Sequence, residues 1–305
     1  MTNLKRADAA IAAYDEKLSE DEKRQLHFFR AIWGTQAQIA TLLSTQYQVP
    51  GIDQLKRLAE KETAVLNAYP AKFDERVLVE ASQRVAKTIC ETGGYADEVI
   101  EQVLSVDWTY ACGPVADIAG RYPTAYTEYV YNSFKQAGMN PRAAQTAVSA
   151  ASLGLRALLD PISTAVMKAR ETAGLEDKHP VHCPVCGCGA TLAAVGASTE
   201  TSGGARTLWC GQCGATWNYD RVRCARCGTR NQGHLHYYHI EGDDAHRIQT
   251  CDECGDYTRT VFQEDVFAPV CPDVEDVVMI KLDLLAARQA SESEDGQTVE
   301  LSEDR

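Results

Sequence analysis

The octet HCPVCGCG, residues 182–189, sets three cysteines within six positions of a chain that up to then has used only two, Cys90 and Cys112. Alone, a C-x-x-C pair fits a redox dithiol, part of an iron–sulfur cluster, or half of a metal cage. Three further pairs follow it: Cys210/Cys213, Cys224/Cys227 and Cys251/Cys254. The first and second pairs start 27 positions apart, and so do the third and fourth. A shift of 41 residues lays Cys183, Cys186, Cys210 and Cys213 on Cys224, Cys227, Cys251 and Cys254. The same shift lays Gly187 on Gly228 and Gly214 on Gly255. A fixed period of this kind marks a duplicated unit.

Each unit reads C-x-x-C, a hairpin-length insert, a second C-x-x-C and a strand. The inserts have turn residues at Ser202-Gly203-Gly204 and at Gly242-Asp243-Asp244. This order describes a metal ribbon, in which a β-hairpin brings two knuckles together and presents four sulfurs tetrahedrally. A glycine after the pair permits a tight knuckle whose N–H groups face the sulfurs. Four thiolates suit one zinc or one iron ion. The repeat predicts consecutive pairing, Cys183/Cys186 with Cys210/Cys213 and Cys224/Cys227 with Cys251/Cys254; a cross-braced set, first pair with third, is the alternative. An iron–sulfur cluster or a redox dithiol is the competing chemistry. Four cysteines close the coordination sphere, whereas a catalytic zinc keeps a position open, so the spacing favours a structural role. A small β-unit buries little core, and bound metal supplies the missing folding energy.

Upstream, the first 175 or so residues have helical texture. Ser19-Glu20-Asp21-Glu22 has capping-box spacing, and Leu26, Phe29, Trp33, Ala40 and Leu43 follow on a helical period up to Pro50-Gly51. Further helices are expected over Asp53–Leu66, Asp74–Cys90, Ala96–Leu104 and Tyr126–Phe134. Asn140-Pro141 pairs a cap residue with a first-turn proline. The helix it opens is expected to run to Pro161 and resume to Ala173, about seven helices in all. After Gly174 the texture changes. Lysine is absent between Lys178 and Lys281, and TLAAVGAS, RTLW, TWNYDRV, HLHYYHIE and YTRTVFQ read as short strands. DVEDVVMIKLDLLAARQA returns to helical spacing, and the acidic end is expected to be disordered.

The fold class is thus α+β. An all-α domain (1–175) precedes a duplicated four-cysteine, rubredoxin-like or zinc-ribbon module (180–271), a short C-terminal helix (272–290) and an acidic tail (291–305). The net charge of −13 and a pI near 5.0 argue against nucleic-acid binding. The module itself, from Val181 to Val270, has seven Arg and no Lys against ten acidic residues. No apolar run is long enough for a membrane span and no leader is legible, so a cytoplasmic protein with reduced thiols is expected. No P-loop, dinucleotide motif or nucleophile elbow is present, and a non-enzyme is expected. Cys90, Cys112 and Cys271 read as packing residues. His27 is assigned nothing, and His234, His236 and His239 read as a solvated strand. Cys188 belongs to neither cage; it packs beneath the knuckle or is a reactive thiol.

HCPVCGCGA, RTLWCGQCGATWNYDRVRCARCG, HLHYYHIEGDDAHRIQTCDECGDYTRT and DVEDVVMIKLDLLAAR together resemble the FdhE family of formate dehydrogenase accessory proteins, from about His182 to Arg288. The run from Cys210 to Cys227 through Trp217 and Arg221 is the most distinctive part. The resemblance implies a helical domain followed by rubredoxin-like knuckles and two mononuclear metal ions, suspected to be iron. It also implies a maturation role, in which the protein associates with the molybdenum- or tungsten-dependent catalytic subunit of formate dehydrogenase. The eight paired cysteines are the ligands by this analogy. An aromatic and two arginines beside a knuckle, Trp217, Arg221 and Arg223, are candidates for the partner surface, with Trp217 equally a candidate for the module's core. A rubredoxin-like electron carrier or redox sensor is the alternative function.

Overall fold

Ser19 and Glu22 close a reciprocal cap. The Glu22 N–H donates to Ser19 Oγ (3.3 Å), and the Glu22 carboxylate accepts the Ser19 N–H (2.8 Å). They open α2 (Glu20–Leu42). The computed structural model describes residues 3–43, 45–196, 205–263, 266, 270–286 and 302–303. Before α2 lies α1 (Leu4–Tyr14), formed from a segment whose polarity had masked it; its small face, Ala7 and Ala10, packs with Tyr14 into the interior. After α2 come α3 (Ile52–Glu60), α4 (Val65–Ala68), α5 (Glu75–Thr92), α6 (Asp97–Leu104), α7 (Trp108–Cys112), α8 (Ala116–Ala119), α9 (Pro123–Gln136) and α10 (Pro141–Thr172).

Three boundaries depart from the expected ones. The helix expected to reach Pro50 ends at Leu42, and Tyr47–Val49 have no regular structure. The expected Asp53–Leu66 helix is α3 and α4, divided where Glu62 takes a left-handed φ of +49° and the Thr63 N–H turns back to the Leu58 carbonyl (2.9 Å). Pro161 does not divide α10, which runs 32 residues through it. One lost N–H is outweighed by a helix buried nearly all round, including Ala157, Leu158, Leu159 and Ile162 on either side of the proline. Gly154 lets α10 approach α5 closely: a Cβ there would lie 2.9 Å from the Ala81 backbone.

The cysteine-rich part folds as β1 (Leu192–Val195), β2 (Arg206–Trp209), β3 (Thr216–Tyr219), β4 (Leu235–His239), β5 (His246–Cys251) and β6 (Tyr257–Phe262). Each repeat is an antiparallel meander, β1–β2–β3 and β4–β5–β6. β5 is the partner that the second hairpin demands, although its own sequence lacks a clean alternation. The two meanders join edge to edge through parallel pairing of β1 with β6, with Leu192 opposite Arg259. One mixed sheet results, in the order β3-β2-β1-β6-β5-β4, and β7 (Ser302–Glu303) adds to the β4 edge. The hairpin tip Ser202-Gly203-Gly204 lies outside the described residues, as does the acidic tail apart from β7.

The first meander backs onto the helices: Leu208, Trp217 and Tyr219 share one core with Leu155, Leu159 and Ile162 of α10. The chain then returns in α11 (Pro272–Val278), continued by helical residues 280–286. Val274, Val277 and Val278 pack against Ala7, Leu26 and Trp33 of α1 and α2, while Met279 and Leu282 face Ile248 and Val261 of the sheet. The C-terminal helical segment therefore straps the module to the helical part. A buried ion pair, Arg156 of α10 with Asp273 of α11, fastens it. Among the described residues no helix is long and apolar enough to cross a membrane.

Candidate metal centres

All four C-x-x-C-Gly turns have the same backbone. The glycine N–H donates to the first cysteine's carbonyl: Gly187 to Cys183 (2.9 Å), Gly214 to Cys210 (2.8 Å), Gly228 to Cys224 (3.1 Å) and Gly255 to Cys251 (2.8 Å). The glycines have φ between +71° and +80°, a region costly for any other residue. The first cysteine's N–H in turn donates to the carbonyl five positions on, at Cys188, Ala215, Thr229 and Asp256. In the third knuckle the Arg226 and Cys227 N–H groups reach Cys224 Sγ at 3.3 and 3.5 Å. Backbone donors of this kind stabilise a thiolate.

The knuckles meet in consecutive pairs, and the cross-braced alternative does not occur. Cys183, Cys186, Cys210 and Cys213 form one set and Cys224, Cys227, Cys251 and Cys254 the other; within each set the sulfurs lie within 4.8 Å of one another. Closest approaches are 3.5 Å (Cys183–Cys213) and 3.6 Å (Cys186–Cys210) in the first set, and 3.8 Å (Cys227–Cys251) and 3.9 Å (Cys224–Cys254) in the second. These exceed a disulfide bond, ~2.05 Å, by far. A sulfur tetrahedron around an ion at ~2.3 Å has edges of about 3.8 Å, so both sets fit one tetrahedral ion each.

The two cages differ in their surroundings. All four sulfur residues of the first are buried, whereas Cys227 and Cys254 of the second are exposed. The first knuckle is docked on α4, whose first-turn amides have no intrahelical acceptor: Val65 N–H donates to the Pro184 carbonyl (3.0 Å) and Leu66 N–H to that of Val185 (2.9 Å). Burial pushes the Cys183 thiol well up, while hydrogen bonds from the Cys183 and Cys186 thiols bring Cys210 down to about 5. Four buried sulfurs this close cannot all ionise without a cation among them.

Of the residues singled out beside the cages, Trp217 is 5% exposed, and its Nε1 donates to the Pro180 carbonyl (2.9 Å). It is module core and offers no surface to a partner. Arg223 is held by the Gly228 and His179 carbonyls (3.1 and 2.9 Å) and stacks over Tyr219. Arg221 is exposed. Cys188 is half-buried against the helical core, with Sγ 3.6 Å from Thr124 Oγ1. His234, His236 and His239 each lie beside a carboxylate, of Glu253, Asp252 and Asp244 respectively. Cys90, Cys112 and Cys271 are buried.

One polar cluster carried no local signal in the sequence. His246 of β5 has Nδ1 2.7 Å from Asp243 and Nε2 3.0 Å from Glu275 of α11; Tyr14 of α1 donates to the same Glu275 oxygen (2.7 Å). Its members are up to 261 positions apart.

No family model matches the chain. Over 109 residues it is 36% identical to an FdhE homologue of Aquifex aeolicus (strain VF5), a match covering 35% of this chain and 38% of that protein. Over 98 residues it is 34% identical to FdhE of Escherichia coli O1:K1, covering 32% of this chain and 29% of that protein. The matches thus span 38% and 29% of these relatives' length. The crystal structure of the FdhE protein from Pseudomonas aeruginosa superposes with a TM-score of 0.58 at 16% identity, covering 93% of this chain and 90% of that one, a likeness of fold. The sequence match, over a third of the chain, and the fold, shared along nearly all of it, are both likenesses to FdhE proteins.

Proposed function

We propose that this chain is an accessory protein in formate dehydrogenase maturation, which binds the molybdenum- or tungsten-dependent catalytic subunit in the cytoplasm and is not itself an enzyme. The observation that carries the reading is a pair of closed four-cysteine cages on a fold shared with an FdhE protein. Cys183, Cys186, Cys210 and Cys213 hold one iron or zinc ion, and Cys224, Cys227, Cys251 and Cys254 the other. The buried cage has the surroundings of a structural centre. The exposed knuckles of Cys227 and Cys254, with the exposed Arg221 three residues before Cys224, supply the surface that meets the partner. A pull-down of the formate dehydrogenase catalytic subunit tests this. Capture by the metal-loaded chain, weakened by Arg221→Glu, is expected; no association under either reducing or oxidising conditions overturns it.

Exposure of the second cage also favours a second reading, electron transfer or redox sensing, because surface sulfurs shorten the path to a partner. Anaerobically purified protein distinguishes them. Sulfur-ligated iron gives visible charge-transfer colour, and a colourless chain with two zinc ions removes the redox reading.

A further inference from the structure

Of the three buried arginines among the described residues, two are held by acceptors through their terminal nitrogens, although the Nε of each has no partner. Arg156 pairs with Asp273. Arg206 donates to the Arg223 carbonyl (2.8 Å) and to Gln249 (2.9 Å), and the half-buried Arg259 pairs with Asp276. Arg170, in the last turn of α10, is only 4% exposed. Among the described residues, however, its guanidinium has no ion-pair partner and no hydrogen bond; the acidic group that acts on it electrostatically is Cys183 of the first cage. Arginine does not shed its proton, so five N–H donors stay in place and need acceptors.

Arg170 lines a cavity of about 410 Å³ between the α3–α4 turn, the end of α10 and the first cysteine knuckle. Lys178 and His182 line it too, and Thr63 contributes a neutral hydroxyl. His179, also in the wall, is engaged through Nδ1 with Asp220 (2.7 Å). Glu62 is the single carboxylate of the lining. On a chain of net charge −13, the cavity is a local cationic exception. A counter-charge role toward the first cage accounts for a positive group at this place. It does not account for the donors, because no hydrogen bond from Arg170 to a sulfur is formed.

We propose that this cavity is an anion site, which takes one carboxylate or phosphoryl group on Arg170 and Lys178 beside the first cysteine cage. The guanidinium fork matches two oxygens of such a group, and Lys178 adds a mobile point charge at the mouth. The buried position of Arg170 makes each hydrogen bond stronger than a surface contact.

Calorimetric titration of the full-length, metal-loaded protein with inorganic phosphate, and separately with acetate, tests the site. One of the two probes is expected to bind saturably at one per chain, which also identifies the group as phosphoryl or carboxylate. Arg170→Met is expected to weaken that binding about tenfold or more, the scale of one charge-assisted hydrogen bond. Lys178 is exposed, so Lys178→Met leaves the fold and the cage intact. That variant is expected to lose affinity, and to lose the rise in thermal midpoint that the bound probe gives the parent protein. Saturation by neither probe at millimolar concentration, or binding unchanged in both variants, overturns the proposal.

Discussion

The carbonyl of Cys188 accepts the N–H of Cys183 at 2.8 Å, closing the first knuckle just as Ala215, Thr229 and Asp256 close the other three. Three different side chains serve that position elsewhere in the chain, so the main chain of Cys188 is what the knuckle uses. Its sulfur lies outside the set of four, against Cys186 and Cys210. Cys188→Ser is therefore expected to retain both metal ions and to shift stability by less than about 1 kcal/mol, as checked by metal analysis and thermal melting. Loss of one ion from this variant would show the sulfur to be a ligand.

The unequal burial of the cages predicts unequal metal release. A chelator such as EDTA is expected to strip the ion held by Cys227 and Cys254 in a first phase, and the buried ion only as the chain opens. Cys254→Ser abolishes the fast phase. Cys183→Ser lowers the thermal midpoint more than Cys254→Ser does, because the first knuckle also receives the α4 amides. A single release phase for both ions would contradict this division.

Arg156 and Asp273 join α10 to α11 with both side chains nearly sealed from solvent, and the guanidinium also stacks over Trp209 at 5.0 Å. Removing one partner strands the other charge. Asp273→Ala is expected to cost about 3–5 kcal/mol in denaturant unfolding, while the double change Arg156→Met with Asp273→Leu recovers most of the loss. Equal losses in the single and double variants would show that the pair is not what fastens the strap.

Burial by itself lowers the pKa of His246, and the Asp243 and Glu275 carboxylates on its two ring nitrogens more than reverse this, raising it to about 9. Tyr14 donates to Glu275, and Lys281 lies 3.0 Å from Asp243, so both carboxylates are fixed. The folded pKa stands above the ordinary value of 6.5. The stabilisation is therefore complete below pH 6.5 and is lost as pH rises through about 9. Unfolding free energy is expected to fall by about 2–3 kcal/mol across that window. His246→Gln, measured in parallel with metal content verified, flattens that part of the profile; an unchanged slope would locate the titration elsewhere.

What could be read in advance was what is local or periodic. The offset of 41 between cysteine sets became two antiparallel meanders, and Ser19/Glu22 and Asn140-Pro141 became caps because each signal lies within one helical turn. What could not be read was set by distant partners. Nothing near Leu192 or Arg259 announces that β1 and β6 lie side by side. The α1 segment is too polar to declare itself without the α11 face that covers it. At Pro161 the local rule was outvoted by burial, and Trp217, read equally as anchor or core, proved to be core because Pro180 accepts its indole N–H. Arg170 gave no signal as one more cation near a helix end; only the lack of an acceptor around it, visible in three dimensions, set it apart.

The hydrogen bonds from Val65 and Leu66 to Pro184 and Val185 also fix an order of events during synthesis. Those amides leave the ribosome 119 residues before their acceptors exist. The acceptors take up their places only once Cys183 and Cys186 have closed into a knuckle with Cys210 and Cys213. Docking of α4 is thus expected only after the carboxy-terminal half has been made and its first cage has closed. A chain whose first cage stays open is expected to be cleaved more readily near residue 65 in limited proteolysis. Closure of one buried cage would then set the protease resistance of a helix more than a hundred residues upstream.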